Sequence, residues 1–296
     1  IQASDWSSDV CSSDLIFAVS IIPVYYYFGF LLSLAAFVVF LSGILEDLRG
    51  DLSQKKRLII QSVGAAIFVV IGDTYLRTIG LGFTFPYALA VVFTIFAIVG
   101  VTNAVNIIDG LNGLASGVSI SAFAVFTIFA YIVGDMELMY LCLSIVAATL
   151  GFFIFNFPRG KIFLGDGGAY YLGFMLACVS ILTVARHPEV SAWFCLAVVI
   201  YPVWEVVFSI YRRRKAVGKR ATEPDKMHLH QVIMRSRKLS NPTASAFLLA
   251  AFPPFQLAAI AFHDDGYVLF VVILSFVLVY QFAYTFHLKA RKRQSF

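Results

Sequence analysis

Long apolar stretches dominate this 296-residue sequence and constrain its fold more than any other feature. A helix needs about 20 apolar residues to cross the hydrocarbon core of a membrane. Only 13% of the residues are charged, against about 25% in soluble domains, which excludes a soluble globular protein. We predict an all-α polytopic membrane protein with about nine transmembrane helices. The expected spans are roughly 16–45, 57–72, 83–102, 114–133, 138–156, 168–185, 191–211, 242–262 and 267–288.

Positive charge falls almost entirely on one side of these spans. When the spans alternate in direction, 20 of the 22 Lys and Arg residues lie on one side, with Arg77 and Arg186 opposite. Cytoplasmic loops of helical membrane proteins retain basic residues. We therefore expect the N-terminus outside, the C-terminus in the cytoplasm, and a basic cytoplasmic tail over residues 289–296.

The N-terminal region differs in composition from the rest of the chain. Residues 1–14 are rich in Ser and Asp, and we expect a non-native or disordered tail there, before a transmembrane domain over residues 15–288. The first apolar stretch is too long for one crossing and contains Pro23 and Gly29. One interpretation is that residues 15–27 are the stump of an earlier helix. Residues 73–85 are expected to form a small exterior hairpin.

Two polar clusters interrupt the apolar sequence at predicted cytoplasmic helix ends. Glu46 and Asp47 end the first span; such a pair can hold a divalent cation or act as a general base, or it can be a helix-end charge pair. Asn103, Asn106 and Asp109 precede a glycine-rich turn, and helix residues three apart share a face. A ligand site is favoured over a simple turn for this second cluster, because a turn alone does not require the two asparagines.

Three further features carry polar chemistry. Asp166 stands between two glycines at a predicted helix start, where it is either an N-cap or a Mg²⁺ ligand. His228 and His230 lie in a basic loop without a third ligand of zinc spacing, so phosphate or nucleotide binding is favoured over zinc. Glu205 lies inside the seventh span, where an acid is either a functional candidate or a partner for the basic residues 212–214.

Together these motifs resemble those of the polyprenyl-phosphate N-acetylaminosugar-1-phosphate transferase family. The resemblance covers nearly all of residues 28–240, and its four motifs occur in the family's order. They are the acidic pair Glu46 and Asp47 with Arg57 and Gln61, the NxxDGLDGLA-like segment Asn106–Ala115, the FxGDxG motif Phe163–Gly168, and the histidine motif His228–Gln231.

The resemblance implies attack by a polyprenyl phosphate oxygen on the β-phosphorus of a UDP-N-acetylaminosugar, which releases UMP. It implies Mg²⁺ as the cofactor, with Mn²⁺ as a substitute, held by Asp166. It also implies a multi-pass protein of the bacterial inner membrane, with its active site facing the cytoplasm and a role in cell-wall or O-antigen synthesis. Catalytic roles are implied for Glu46, Asp47 and Asp109, and substrate binding for Arg57, Asn103, Asn106, Asn112, Phe163, His228 and His230.

The sequence also departs from the family pattern. Glu46, Asn112 and Gln231 stand where the family has aspartate, aspartate and histidine. Two N-terminal helices of the family have no counterpart, so we expect an N-terminally truncated chain with impaired activity. A secondary transporter and an inactive family member are the alternatives, although transporters usually carry internal repeats and midplane acids, which we do not find. The expected partners are the UDP-sugar and polyprenyl phosphate, without nucleic acid, and a homodimer is left open.

Overall fold

The computed structural model describes residues 6–80, 82–215 and 227–293, with side-chain positions within residues 16–290. Residues 1–5 of the predicted N-terminal tail and 294–296 of the predicted basic tail lie outside the described residues. The described chain is helical apart from one short antiparallel hairpin. Its elements are α1 Trp6–Arg49, α2 Gln54–Ala66 continued by a π-helix Ile67–Ile71, β1 Thr78–Gly80, β2 Phe83–Thr84, α3 Tyr87–Ile108, α4 Leu114–Val133, α5 Met136–Asn156, α6 Gly165–Arg186, α7 Ala192–Val198, α8 Ile200–Lys215, α9 Leu229–Arg237, α10 Asn241–Ala251, α11 Pro253–Ala261 and α12 Gly266–Arg293.

Helix α1 reverses its direction at Gly29. The backbone of Gly29 has φ 76° and ψ −170°, which is not helical and which glycine adopts without a side-chain clash. The Phe17 and Phe40 rings stack with their centroids 4.1 Å apart, whereas a straight helix would separate them by about 35 Å. The two parts of α1 are therefore antiparallel. This reversal agrees with the expectation that the stretch 16–45 is too long for one crossing, and the sidedness of the N-terminus stays a prediction.

Seven helices in the described residues are long and apolar enough to span a membrane, and an eighth span is formed if a bent pair counts as one. That pair is α7 and α8, which replace the predicted span 191–211 and meet at 81°. The predicted span 57–72 is occupied by α2 and its π-helical continuation. The protein is thus a polytopic membrane protein, while the number of nine spans stays a prediction.

Helix α6 is the centre of the bundle, because nearly all of its side chains are buried. Small residues let other helices approach it closely, as they do in membrane proteins generally. A Cβ atom on Gly43 of α1 would lie 2.4 Å from the Gly167 Cα atom, and one on Gly173 would lie 2.7 Å from the Thr102 Cα atom of α3. The backbones of α1 and α3 therefore pack directly on α6.

Replacing Gly43 by alanine is expected to destabilise the protein by about 1–3 kcal/mol, because the added methyl group would overlap the α6 backbone. Gly100→Ala is the matched control, since a Cβ there would meet nothing within 4 Å and alanine favours the helix. Thermal unfolding in detergent measures both. Equal midpoints for the two variants would contradict the direct packing of α1 on α6.

Four of the predicted motifs gather at one end of the bundle, where α1 and α3 end and α2 and α6 begin. These termini are joined by hydrogen bonds between side chains of different helices and by one between a side chain and a backbone N–H group. We call this end the polar end. The β1–β2 hairpin lies at the opposite end, where Gly80 approaches the Trp193 ring near the start of α7. A hairpin is therefore confirmed within the predicted range 73–85, where its strands cover 78–80 and 83–84, and its exterior location stays a prediction.

Candidate active site

Asp47 forms the N-terminal cap of α6 from another helix. Its Oδ1 accepts a hydrogen bond from the Asp166 backbone N–H at 3.0 Å, and its Oδ2 accepts one from the Gly167 N–H at 3.0 Å. Gly165 makes this approach possible: its φ is +66°, and a Cβ there would lie 2.8 Å from the Asp47 carboxylate. A carboxylate at a helix N-terminus satisfies otherwise unpaired N–H groups. Asp47 thereby fixes the position of Asp166.

Asp166 connects α6 to α2 and α3. Its Oδ2 lies 2.7 Å from Arg57 Nη1, and its Oδ1 accepts a hydrogen bond from Asn106 Nδ2 at 2.8 Å. Glu46 lies further out, 3.7 Å from Arg57, and accepts a bond from the Leu52 N–H at 2.9 Å. The side chains of Glu46, Arg57 and Asp166 are 22–26% exposed, so solvent and ligands reach this cluster.

Asp109 completes the group of acids. It follows the last residue of α3, and the described residues contribute no hydrogen-bond partner to its carboxylate. Removal from water, together with the negative charges of Asp166 and Asp47, raises the pKa of Asp109 to about 7. A carboxyl group with such a pKa is suited to accept a proton near neutral pH. Asp109 is thus an acid of this group whose carboxylate is not occupied by any described residue.

The asparagines of the site have different surroundings. Asn103 donates a hydrogen bond to Gln61 Oε1 at 2.7 Å, one helix turn from Arg57, and the Gln61 Nε2 is buried without a partner among the described residues. Asn112 lies in the turn between α3 and α4, where its side chain donates to the Pro158 carbonyl at 3.2 Å and its N–H donates to Asn241 Oδ1. Its substrate-binding role stays a prediction.

The histidine motif packs against the glycine turn. A Cβ on Gly110 would lie 2.6 Å from His230 Nε2, so only a glycine leaves room for this ring beside Asp109. The rings of His228 and His230 are parallel, with centroids 5.6 Å apart. Burial lowers the pKa of His230 to about 4, and neither of its ring nitrogens has a partner in the described part of the chain. A neutral imidazole with unused hydrogen-bonding capacity therefore lies at the edge of the site.

The sequence motifs do not reveal how His228 is held. Its Nδ1 lies 2.9 Å from Glu205 Oε1 of α8, and Tyr280 of α12 donates a hydrogen bond to Glu205 Oε2 at 2.9 Å. Of the two alternatives for Glu205, the pairing with residues 212–214 is not what the structure shows for this carboxylate. In the sequence, this role of Glu205 is indicated only by its position as an acid inside an apolar span.

The structure brings most of the predicted residues together. Phe163 lies just before α6 and is 44% exposed, so its ring is accessible at the polar end. Contacts and shared helix ends connect Glu46, Asp47, Arg57, Asn103, Asn106, Asp109, Asp166, His228 and His230.

The donor atoms of this cluster suit a hard divalent cation. Mg²⁺ at phosphate sites uses one or two carboxylates, with water and substrate oxygens as its other ligands. No three His, Cys, Asp or Glu side chains of the described ranges form a complete metal cage. Asp166, with the carboxylate of Asp109 nearby, offers the one or two carboxylate ligands that Mg²⁺ or Mn²⁺ requires. To bind the cation, Asp166 Oδ2 has to give up its contact with Arg57.

Similarity to known proteins extends over the residues of this site. Residues 29–184, from the reversal in α1 to the end of α6, match the model of glycosyl transferase family 4. The chain belongs to glycosyl transferase family 4. The matched residues of this family 4 chain include Glu46, Asp47, Arg57, Asp109 and Asp166, while α8 and the histidine helix lie beyond them.

Curated relatives extend the family 4 match. The chain is 30% identical over 276 residues to undecaprenyl-phosphate alpha-N-acetylglucosaminyl 1-phosphate transferase of Haemophilus influenzae, with 85% of this chain and 74% of the relative covered. Identity to the protein of the same name from Pasteurella multocida is 31% over 271 residues, covering 84% and 72%. Identity to that of Escherichia coli K12 is 29% over 272 residues, covering 87% and 72%.

Proposed function

We propose that this protein transfers an N-acetylaminosugar 1-phosphate from a UDP-sugar to undecaprenyl phosphate and releases UMP. A lipid phosphate oxygen forms a bond to the β-phosphorus of the UDP-sugar, and the bond between that phosphorus and the bridging oxygen of UMP breaks. The convergence of Asp47, Asp166, Arg57 and Asp109 at one end of an apolar bundle supports this proposal most strongly. The names of its relatives agree with it.

Phosphoryl transfer requires mainly positioning and neutralisation of charge. Arg57 is the cation of the cluster and binds phosphate oxygens when it leaves Asp166. Asn106 orients Asp166, and Asp109 contacts the diphosphate or accepts the proton of the lipid phosphate. His228 and His230 bind phosphate or sugar from the opposite side of the glycine turn, and Phe163 stacks on the uracil ring.

Asp166 would hold Mg²⁺, and water and substrate oxygens would be its further ligands. When bound, the cation would supply positive charge that offsets the charge of the diphosphate. Asp47 acts on this arrangement from α1, because it fixes the first turn of α6 on which Asp166 is placed.

The lipid substrate enters from the side. The helices around the polar end expose apolar side chains to the bilayer, so an undecaprenyl chain remains in hydrocarbon while its phosphate reaches the site. The basic residues of the sequence favour a polar end that faces the cytoplasm of a bacterial inner membrane, where UDP-sugars are made. We place the enzyme at the first membrane step of a cell-wall or surface polysaccharide.

Purified protein in detergent, with undecaprenyl phosphate and UDP-N-acetylglucosamine, tests the proposal. UMP release that requires the lipid and Mg²⁺, and that stops on addition of EDTA, is expected. UDP-N-acetylgalactosamine in a parallel reaction tests the sugar. Transport of intact UDP-sugar into vesicles without UMP release would instead indicate a transporter. Binding of UDP-sugar with neither activity would indicate a family member that does not turn over.

A further inference from the structure

Glu205 is a buried acid to which the proposed chemistry assigns no role. It lies on α8 and is 1% exposed. Three donors surround its two oxygens: His228 Nδ1 at 2.9 Å, the Leu229 N–H at 3.0 Å and the Tyr280 hydroxyl at 2.9 Å. Burial of a carboxylate is costly unless its oxygens are fully paired. The complete pairing therefore points to a specific role for this group.

The hydrogen bonds of Glu205 determine which nitrogen of His228 carries a proton. A carboxylate only accepts hydrogen bonds, and its partners Leu229 N–H and Tyr280 O–H are donors. His228 Nδ1 must then be a donor as well. The Nε2 atom on the far side of the His228 ring is left to bind another group. The His228 ring lies next to that of His230, which contacts the glycine turn beside Asp109.

A second set of contacts holds the backbone just before His228. Arg212 Nη1, on α8, donates a hydrogen bond to the Met227 carbonyl and another to the Tyr284 hydroxyl at 2.5 Å. Tyr280 and Tyr284 are one turn apart on α12. Helix α12 thus fixes both the backbone before His228 and the His228 ring through residues of α8. This helix lies beyond the residues that match the family.

We propose that Glu205, held by Tyr280, is the positioning residue of His228: it keeps the proton on Nδ1 and directs Nε2 toward the phosphate or sugar of the substrate. The direction of Nε2 toward a ligand rests on the proposed function, whereas the protonation of Nδ1 does not. A histidine whose ring is fixed in this way binds a ligand without losing rotational freedom at the moment of binding.

Two substitutions remove parts of this arrangement without removing His228. Glu205→Gln keeps the shape but can place an N–H₂ group against Nδ1, and we expect kcat/KM to fall about 10- to 100-fold. Tyr280→Phe removes one hydroxyl and should lower kcat/KM about 3- to 10-fold. Tyr201→Phe is the matched control on α8, because its hydroxyl is buried and has no hydrogen-bond partner among the described residues. Its kcat/KM should stay within about twofold of wild type.

A double-mutant cycle separates positioning from simple structural support. In a His228→Gln background, Glu205→Gln should lower kcat/KM by less than about threefold, because the group it positions is already absent. Full multiplication of the two losses would overturn the proposal. If Glu205→Gln does not fold, the same cycle with Tyr280→Phe decides the question.

The protonation of His228 is measured without turnover. The chain has five histidines, so ¹⁵N-histidine spectra of the protein in lipid are simple, and the His228→Gln spectrum assigns the signal. We expect a protonated Nδ1 in wild type and in Tyr201→Phe, and a shift toward unprotonated Nδ1 in Glu205→Gln. An unchanged Nδ1 signal in Glu205→Gln overturns the proposal. Absence of UMP release by wild type would refute the proposed transferase reaction instead, and this spectrum would still decide the role of Glu205.

Discussion

Replacement of Asp166 by asparagine is expected to lower UMP release about 1000-fold or more, which corresponds to about 4 kcal/mol of transition-state stabilisation. Asparagine keeps the size of the side chain and its hydrogen bond from Asn106, but it loses the charge that faces Arg57 at 2.7 Å. It also removes the proposed Mg²⁺ ligand. The measurement is the rate of UMP release over a wide range of Mg²⁺ concentrations, with Mn²⁺ binding followed by electron paramagnetic resonance.

Asp51→Asn is the control, because Asp51 is an exposed carboxylate in the turn between α1 and α2, close in sequence to the site. It should keep wild-type turnover and Mn²⁺ affinity. If the Asp166 variant retains turnover within tenfold of wild type, or binds Mn²⁺ normally, Asp166 does not hold the metal.

Replacement of Asp47 by asparagine is the second large effect that we expect. Asparagine caps helices nearly as well as aspartate, so the fold should survive. One of the two carboxylate oxygens is replaced by an N–H₂ group, which faces the N–H of Asp166 or Gly167. Because two donors then face each other, the first turn of α6 must shift. Turnover should fall about 100- to 1000-fold, or about 3–4 kcal/mol. UDP-sugar affinity should change little, because the arginine and asparagines of the site are untouched.

The comparison variant is Asp135→Asn, which changes a capping aspartate at the opposite end of the bundle, where Asp135 accepts a bond from the Leu138 N–H. The Asp135→Asn variant should be less stable than wild type, but its turnover per folded molecule should be unchanged. Loss of UDP-sugar binding in Asp47→Asn, measured by calorimetry, would place Asp47 on the nucleotide rather than at the first turn of α6.

Much of the fold and site can be predicted from sequence patterns. Apolar length predicts the crossing helices, and the position of each polar motif at a helix end predicts that Glu46, Asp47, Asp109 and Asp166 meet at one end. The length of the first apolar stretch indicates that it is broken, but periodicity does not place the reversal at Gly29, because apolar residues continue through it. The 81° bend between α7 and α8 is hidden for the same reason.

The roles of individual acids depend on contacts across the chain. Asp47 is separated from the N–H groups that it caps by about 120 residues, and no local pattern indicates this partnership. Glu205 and Tyr280 are likewise far apart in sequence. Hydrogen-bond geometry between distant helices decides whether an acid is free or occupied. This is why, among the described residues, the Asp109 carboxylate has no hydrogen-bond partner while that of Asp47 caps α6.

The close contact of Gly43 with Gly167 has a consequence for mutational surveys of this protein. Gly43 is one turn before Asp47, and Gly167 is the next residue after Asp166, so a side chain at either glycine would separate the two acids as well as the two helices. A screen that scores only product formation would rank these glycines with the catalytic acids, although neither has a functional group. Screens that also score the amount of folded protein would separate the two kinds of position.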